Sequence, residues 1–92
     1  MRLLVTIDLK GADLTLFEDY EAAVLPLLTN YGARLEKRLR ATDNSSETHL
    51  LFFPDAKALE NYRADPARAA LLPQWERSGA KSTAVEVKEL PA

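Results

Sequence analysis

The sequence contains no cysteine. Disulfides, thiolate metal sites and a cysteine nucleophile are therefore excluded. It has no apolar run approaching the roughly 20 residues of a membrane span. A basic excess is missing as well. Twelve Lys and Arg stand against fourteen Asp and Glu, a formal charge of −2, which argues against a nucleic-acid partner. No Ser-His-Asp spacing, metal-ligand cluster or phosphate-cradling loop occurs, so neither a metal nor a cofactor is expected. Linkers, low-complexity segments and short-period repeats are also lacking. The apolar part of Met1-Arg2-Leu3-Leu4-Val5-Thr6-Ile7-Asp8 is too short for a signal peptide, and the cytoplasm is the expected compartment.

What is present is an ordinary globular balance, 47% hydrophobic and 28% charged over 92 residues. That suffices for one domain over residues 1–92 and is too little for two. Such a short chain builds a thin core and gains from pairing with a second copy.

Hydrophobic periodicity divides the chain into six elements. Arg2 to Lys10 reads as a strand, with Leu3, Val5, Ile7 and Leu9 on one face and Leu4, Thr6 and Asp8 on the other. After the turn Lys10-Gly11-Ala12, Asp13 is the expected N-cap of a helix reaching about Asn30. Phe17, Tyr20, Val24, Leu27, Leu28 and Tyr31 form its buried stripe. The acids Glu18, Asp19 and Glu21 read as a solvated face near the positive end of the helix dipole. Pro26 is expected to kink the helix, and Gly32 to stop it.

Ala33 to Arg40 alternates as a second strand, with Leu35 and Leu39 on one face and Arg34, Glu36, Arg38 and Arg40 on the other. Thr42 to Ser46 is a polar hairpin tip. Thr48 to Phe53 is a third strand, apolar on both sides, a pattern that implies cover on both faces. Asp55 and Asp65-Pro66 each cap a helical piece. Leu59 and Tyr62 face inward from the first, and Leu71, Leu72 and Trp75 from the second. After Ser78-Gly79, Ser82 to Leu90 is the last strand, with Val85 and Val87 on one side and Glu86 and Lys88 on the other.

The order βαββαβ, with right-handed crossovers, puts both helical regions on one face of a four-stranded antiparallel sheet. This is the ferredoxin-like α+β arrangement. On the remaining face the expected residues are Leu4, Leu50 and Phe52 among Thr6, Asp8, Arg38 and Glu86. Large apolar groups beside pairable charges suit an interface with a second copy. The alternative is a solvated face with a few stray apolar residues.

The fold hosts many functions, so the site has to decide. An RNA-recognition module would carry stacking aromatics on its first and third strands, and the first strand has none. A heavy-metal-binding domain needs paired cysteines. Lys10-Gly11-Ala12-Asp13 does not supply the anion loop of an acylphosphatase. The stretches Phe17-Glu18-Asp19-Tyr20-Glu21-Ala22-Ala23-Val24, Tyr31-Gly32-Ala33-Arg34-Leu35 and Phe52-Phe53-Pro54-Asp55, leading to Tyr62 and Asp65-Pro66, resemble the dimeric α+β barrel superfamily. That group includes cofactor-free antibiotic-biosynthesis-type monooxygenases, small isomerases and a small uncharacterised bacterial branch. The resemblance covers nearly the whole chain and implies a homodimer joined through the sheet face. Two departures stand out. The branch's Gly-Gly turn and longer hairpin after the Arg strand are replaced by Leu39-Arg40 and a short loop. Haem-degrading relatives use a helical His, whereas the only His here, His49, lies on a strand.

His49 is the first choice for a general base, its ordinary pKa being near neutrality. Its parity turns it toward the helices, with no carboxylate obviously positioned to orient it. The alternative is a strand-end histidine near the hairpin, hydrogen-bonded or wet. Tyr20, Tyr31, Tyr62 and Trp75 are candidates to line a pocket for an aromatic ligand, or else are core. Arg38, on a basic strand with Arg34, Lys37 and Arg40, could hold an anionic group in forked geometry. The competing expectation is that these charges pair with Asp8, Glu47 or Glu86 across strands. Two functions follow. One is a homodimer binding a hydrophobic or aromatic molecule, with monooxygenase-like or isomerase-like chemistry. The other is a non-catalytic ligand-sensing or stress-associated dimer.

Overall fold

In the computed structural model, which describes residues 1–92, the alternating apolar residues of Arg2–Asp8 form strand β1. Helix α1, Leu14–Val24, starts where the Asp13 carboxylate accepts the Leu16 amide N–H at 3.0 Å. Pro26 does more than kink this helix. The α-helical ladder ends at Val24, and Leu25–Tyr31 continues as a 3-10 stretch with Pro26 in its first turn. Proline has no N–H to donate there, and the tighter winding takes over. Gly32, at φ 66°, then reverses the chain in the left-handed region that glycine adopts at little cost.

Strands β2, Arg34–Arg40, and β3, Ser46–Phe52, follow as a hairpin. Helix α2, Ala56–Arg63, is capped by Asp55, and α3, Pro66–Ala70, by Asp65. Helix α4, Leu72–Ser78, ends at Gly79, and β4 spans Lys81–Val87. The sheet order is β2-β3-β1-β4, all pairs antiparallel. This is the ferredoxin-like arrangement expected from the sequence. The Cα trace measures 37 × 33 × 17 Å. Its short axis holds one sheet and one helix layer, since stacked layers lie about 10 Å apart. One sheet face is therefore left uncovered by the chain.

Register assigns the residues to faces, because directly paired residues share one. Two expectations are overturned here. Pairing of β2 with β3 jumps from Leu35–Leu51 to Lys37–Leu50, leaving Glu36 as an extra, bulged residue. A bulge inverts the alternation beyond it. Arg38 and Arg40 therefore pair with His49 and Glu47 on the helix side. Leu39, expected beside Leu35, instead faces outward and is 61% exposed. On β4, Glu86 pairs with Leu3, and Val85 with Leu4. Val85 and Val87, not Glu86, thus lie on the uncovered face.

The core forms two clusters. One gathers Leu3, Leu28, Ala33, Leu51, Phe53, Leu59 and Tyr62. The other gathers Ile7, Leu9, Phe17 and Ala80, with Trp75 packed against it.

Candidate functional site

Between these clusters lies a cavity of about 400 Å³. Its walls include Leu3, Leu51, Phe53 and Tyr62 from the first cluster and Ile7 and Trp75 from the second, with Tyr20 between them. Trp75 stacks obliquely on Tyr20, centroids 5.2 Å apart, and Phe53 on Tyr62 at 5.7 Å. The lining residues Arg63, Ala69, Ser82 and Ala84 are exposed, as is Leu72, which the sequence had suggested would face inward. They mark the mouth, between edge strand β4 and helix α3. His49 and Glu21, each 3% exposed, mark the inner end.

His49 reaches this place because β3 alternates. Glu47, His49, Leu51 and Phe53 all point to the helices, and all are buried. The same alternation supplies the orienting carboxylate that the sequence did not reveal. Glu47, 1% exposed, meets His49 Nε2 at 2.5 Å. It also accepts from Arg38 Nε at 2.9 Å and from Arg40 Nε at 2.8 Å. Arg38 and Arg40 reach Glu18 on α1 as well. The bulge at Glu36 makes this possible, since it turns both arginines inward. Arg38 thus holds a protein carboxylate, and it lies outside the cavity.

Burial pushes the Glu47 carboxyl up, but hydrogen bonds from Arg38, His49 and Arg40 outweigh burial and hold it below the usual carboxylate range. Burial also lowers the His49 pKa, against the pull of Glu47. The imidazole is therefore neutral near pH 7. With Glu47 ionised, Nε2 carries the proton and donates it, and Nδ1 is left as the accepting nitrogen.

Glu21 completes the inner end. The sequence placed it on a solvated face, yet it follows Phe17 by four residues and precedes Val24 by three, on the buried stripe of α1. Burial first, then repulsion from Glu47, raises its pKa to about 7. One ligating atom each of Glu21, Glu47 and His49 lies within 4.8 Å of the others. These are the side chains that could hold a metal ion, but Glu47 is already shared by two guanidinium groups and an imidazole, which opposes a cation.

The raised Glu21 pKa has a measurable consequence. Folded Glu21 keeps its proton to higher pH than the unfolded chain does, so between pH 4.5 and 7 the folded state binds more protons. Stability from this group falls as pH rises through that window. The rise from 4.5 to about 7 corresponds to about 3 kcal/mol. Relative to the parent protein, Glu21→Gln should gain up to roughly that amount in urea-unfolding free energy between pH 4.5 and pH 8. A difference that stays constant across this range would mean that Glu21 is in contact with water.

Of the aromatic candidates, Tyr20, Tyr62 and Trp75 line the cavity together with His49. Tyr31 does not. Its hydroxyl donates to Asp65, and its ring meets Tyr62 edge-on at 6.0 Å.

No protein-family model matches the chain, and no curated protein matches it in sequence. Solved structures do match its fold. SnoaB, a cofactor-independent oxygenase from Streptomyces nogalater, is 14% identical with a TM-score of 0.70, over 97% of this chain and 93% of that one. A dimeric ferredoxin-like protein of unknown function from Jannaschia sp. CCS1 is 16% identical at 0.69, over 95% and 100% of the two chains. An uncharacterised NIPSNAP domain protein from Burkholderia xenovorans is 17% identical at 0.64, over 100% and 99%. The chain therefore has the ferredoxin-like fold of antibiotic-biosynthesis-monooxygenase-like proteins. Identities this low establish the fold, and the chemistry must be argued from the site.

Proposed function

We propose that this protein is a homodimer that binds a hydrophobic or aromatic small molecule in the cavity and acts on it without a cofactor, in a monooxygenase-like or isomerase-like reaction. The observation that carries the reading is the inner end of the cavity, where neutral His49 is oriented by buried Glu47 beside an aromatic-walled space. A phenolic substrate seated between Tyr20, Tyr62 and Trp75 would present its hydroxyl to His49 for proton removal. In an isomerase, a carbon acid would lose its proton to the same base. In an oxygenase, the desolvated phenolate supplies the electrons that reduce dioxygen. Similarity of fold to a cofactor-independent oxygenase supports the oxygenase form.

Dimerisation is supported by the uncovered sheet face. Leu39 and Val85 are 61% and 56% exposed there, beside partly buried Leu4, Leu50 and Phe52. A second copy laid on this face would cover these apolar groups and leave the cavity mouth free on the other side. The fold is shared with a solved structure described as dimeric.

The test combines mass, binding and turnover. Light scattering at micromolar concentration should return about twice the chain mass. In a thermal-shift screen with phenols such as 2-naphthol, a probe at 100 times its Kd should add about 2.7 kcal/mol and raise Tm by roughly 10 °C or more. With a bound probe, oxygen uptake or isomerised product should fall about a hundredfold or more in His49→Gln. Binding without turnover would leave a ligand-sensing dimer. A monomer that binds none of the probes would overturn the reading.

A further inference from the structure

Arg68, on α3, lines the cavity on the side of its mouth. Its Nε is the one side-chain polar atom in the protein that is buried without a hydrogen-bond partner. A guanidinium donor withdrawn from water and left unpaired carries a desolvation penalty that an anionic acceptor would relieve. The protein supplies no anion for that Nε. Arg68 joins no ion pair; its guanidinium makes a long contact from Nη1 to the Arg63 carbonyl at 3.5 Å and lies within reach of the uncharged Tyr62 hydroxyl. The nearest acid in sequence, Asp65, is occupied. One carboxylate oxygen caps the Ala67 and Arg68 amides at 2.7 and 3.1 Å, and the other accepts from the Tyr31 hydroxyl. Meanwhile the guanidinium carbon sits 5.1 Å from the Tyr62 ring centroid, a cation–π contact that holds the side chain over the cavity wall. Arg63 adds a second unpaired cation at the mouth.

The opposite end of the cavity has the opposite character, with Glu21 lining it and ionised Glu47 behind His49. An anionic group would be repelled there and attracted at the mouth. We propose that Arg68 is the anion-binding subsite of this cavity, and that the ligand is a planar aromatic carboxylate. Its ring lies between Tyr20, Tyr62 and Trp75, its carboxylate takes the Nε–H of Arg68, and its uncharged edge is turned toward His49 and Glu21. This inference rests on the small-molecule reading of the cavity and narrows it to one charge type and one orientation.

A matched pair of probes, 2-naphthoate and its neutral isostere 2-naphthamide, separates the two claims. Isothermal titration of the wild-type protein at pH 8 should find naphthoate bound roughly tenfold or more tightly than naphthamide, as expected of a charge-assisted hydrogen bond in a partly dry site. In Arg68→Gln that preference should shrink toward unity, with naphthoate losing far more affinity than naphthamide, whose retained binding also shows that the variant is folded. Equal binding of both probes to the wild type would overturn the Arg68 assignment and leave the cavity reading standing. So would a preference that survives in Arg68→Gln. If neither probe binds the wild type, the cavity reading fails and the subsite fails with it.

Discussion

Glu47→Ala should destabilise the fold by about 3 kcal/mol at pH 7, the lower end of the range for removing one partner of a buried ion pair. The carboxylate is 1% exposed and holds three groups: Arg38, Arg40 and His49. Without it, the two guanidinium groups keep Glu18 as their ion-pair partner, with buried Glu21 as a further acid in their neighbourhood. The arginine side chains are themselves 35% and 26% exposed, so they can partly return to water, which keeps the loss from reaching the top of the range. The sign with pH follows from the depressed Glu47 pKa. The contribution of this group is fully present above its ordinary pKa of 4.5 and is lost as pH falls through the lower folded value. The gap between parent and variant in urea denaturation should therefore narrow steadily below pH 4.5. A loss under 1 kcal/mol at pH 7 would reduce the cluster to the worth of a surface ion pair.

Phe53→Ala should cost about as much or more, roughly 3–5 kcal/mol, because it empties a fully buried aromatic site. Phe53 is 0% exposed and touches Tyr62. Its amide donates to the Met1 carbonyl at 2.9 Å, which fixes the end of β3 against the chain start. In a domain of this size the loss corresponds to a Tm drop of at least roughly 12 °C. Because Phe53 also lines the cavity, the space it vacates joins the binding site. The same variant should then accept bulkier ring systems than the parent. Calorimetry that shows a loss below 1.5 kcal/mol would mean that neighbouring side chains collapse into the gap and that the cavity wall is soft.

The fold was largely legible because its signals are local. Asp13, Asp55 and Asp65 each precede a helix and cap it, Gly32 and Gly79 end theirs, and strand alternation names the buried side of β1 and β3 correctly. The inward orientation of His49 followed from the same parity. What was missed depends on relations between strands. Nothing in Arg34-Leu35-Glu36-Lys37-Arg38 announces a bulge, since it is set by how β2 pairs with β3. Its absence from the reading put Arg38 on the wrong face, although the expected cross-strand pairing of Arg38 and Arg40 with Glu47 is found. The β4 error was of the same kind, since only the pairing with β1 shows that Glu86 shares the face of Leu3. Two members of the site were within reach all the same. Glu47 stands two residues before His49 and so shares its face, and Glu21 keeps helical step with Phe17 and Val24. Charge alone argued for solvent, and periodicity was the better guide. Arg68 could not have been found, because its distinction is a missing partner, which only the three-dimensional arrangement reveals.

The extra residue at Glu36 acts on β2 as a phase shift acts on a periodic signal. Every side chain downstream of it changes sides, while the strand keeps its direction and its neighbours. Drawing Glu36 into regular pairing, with the sequence unchanged, would send Arg38 and Arg40 out to the open face and bring Leu39 in, dismantling the charge cluster without altering a single member of it. The spacing of β2 is thus itself part of the site. Among proteins of this fold, the presence or absence of a single bulge can separate chains that hold such a cluster from chains that do not, even where the side chains available are the same.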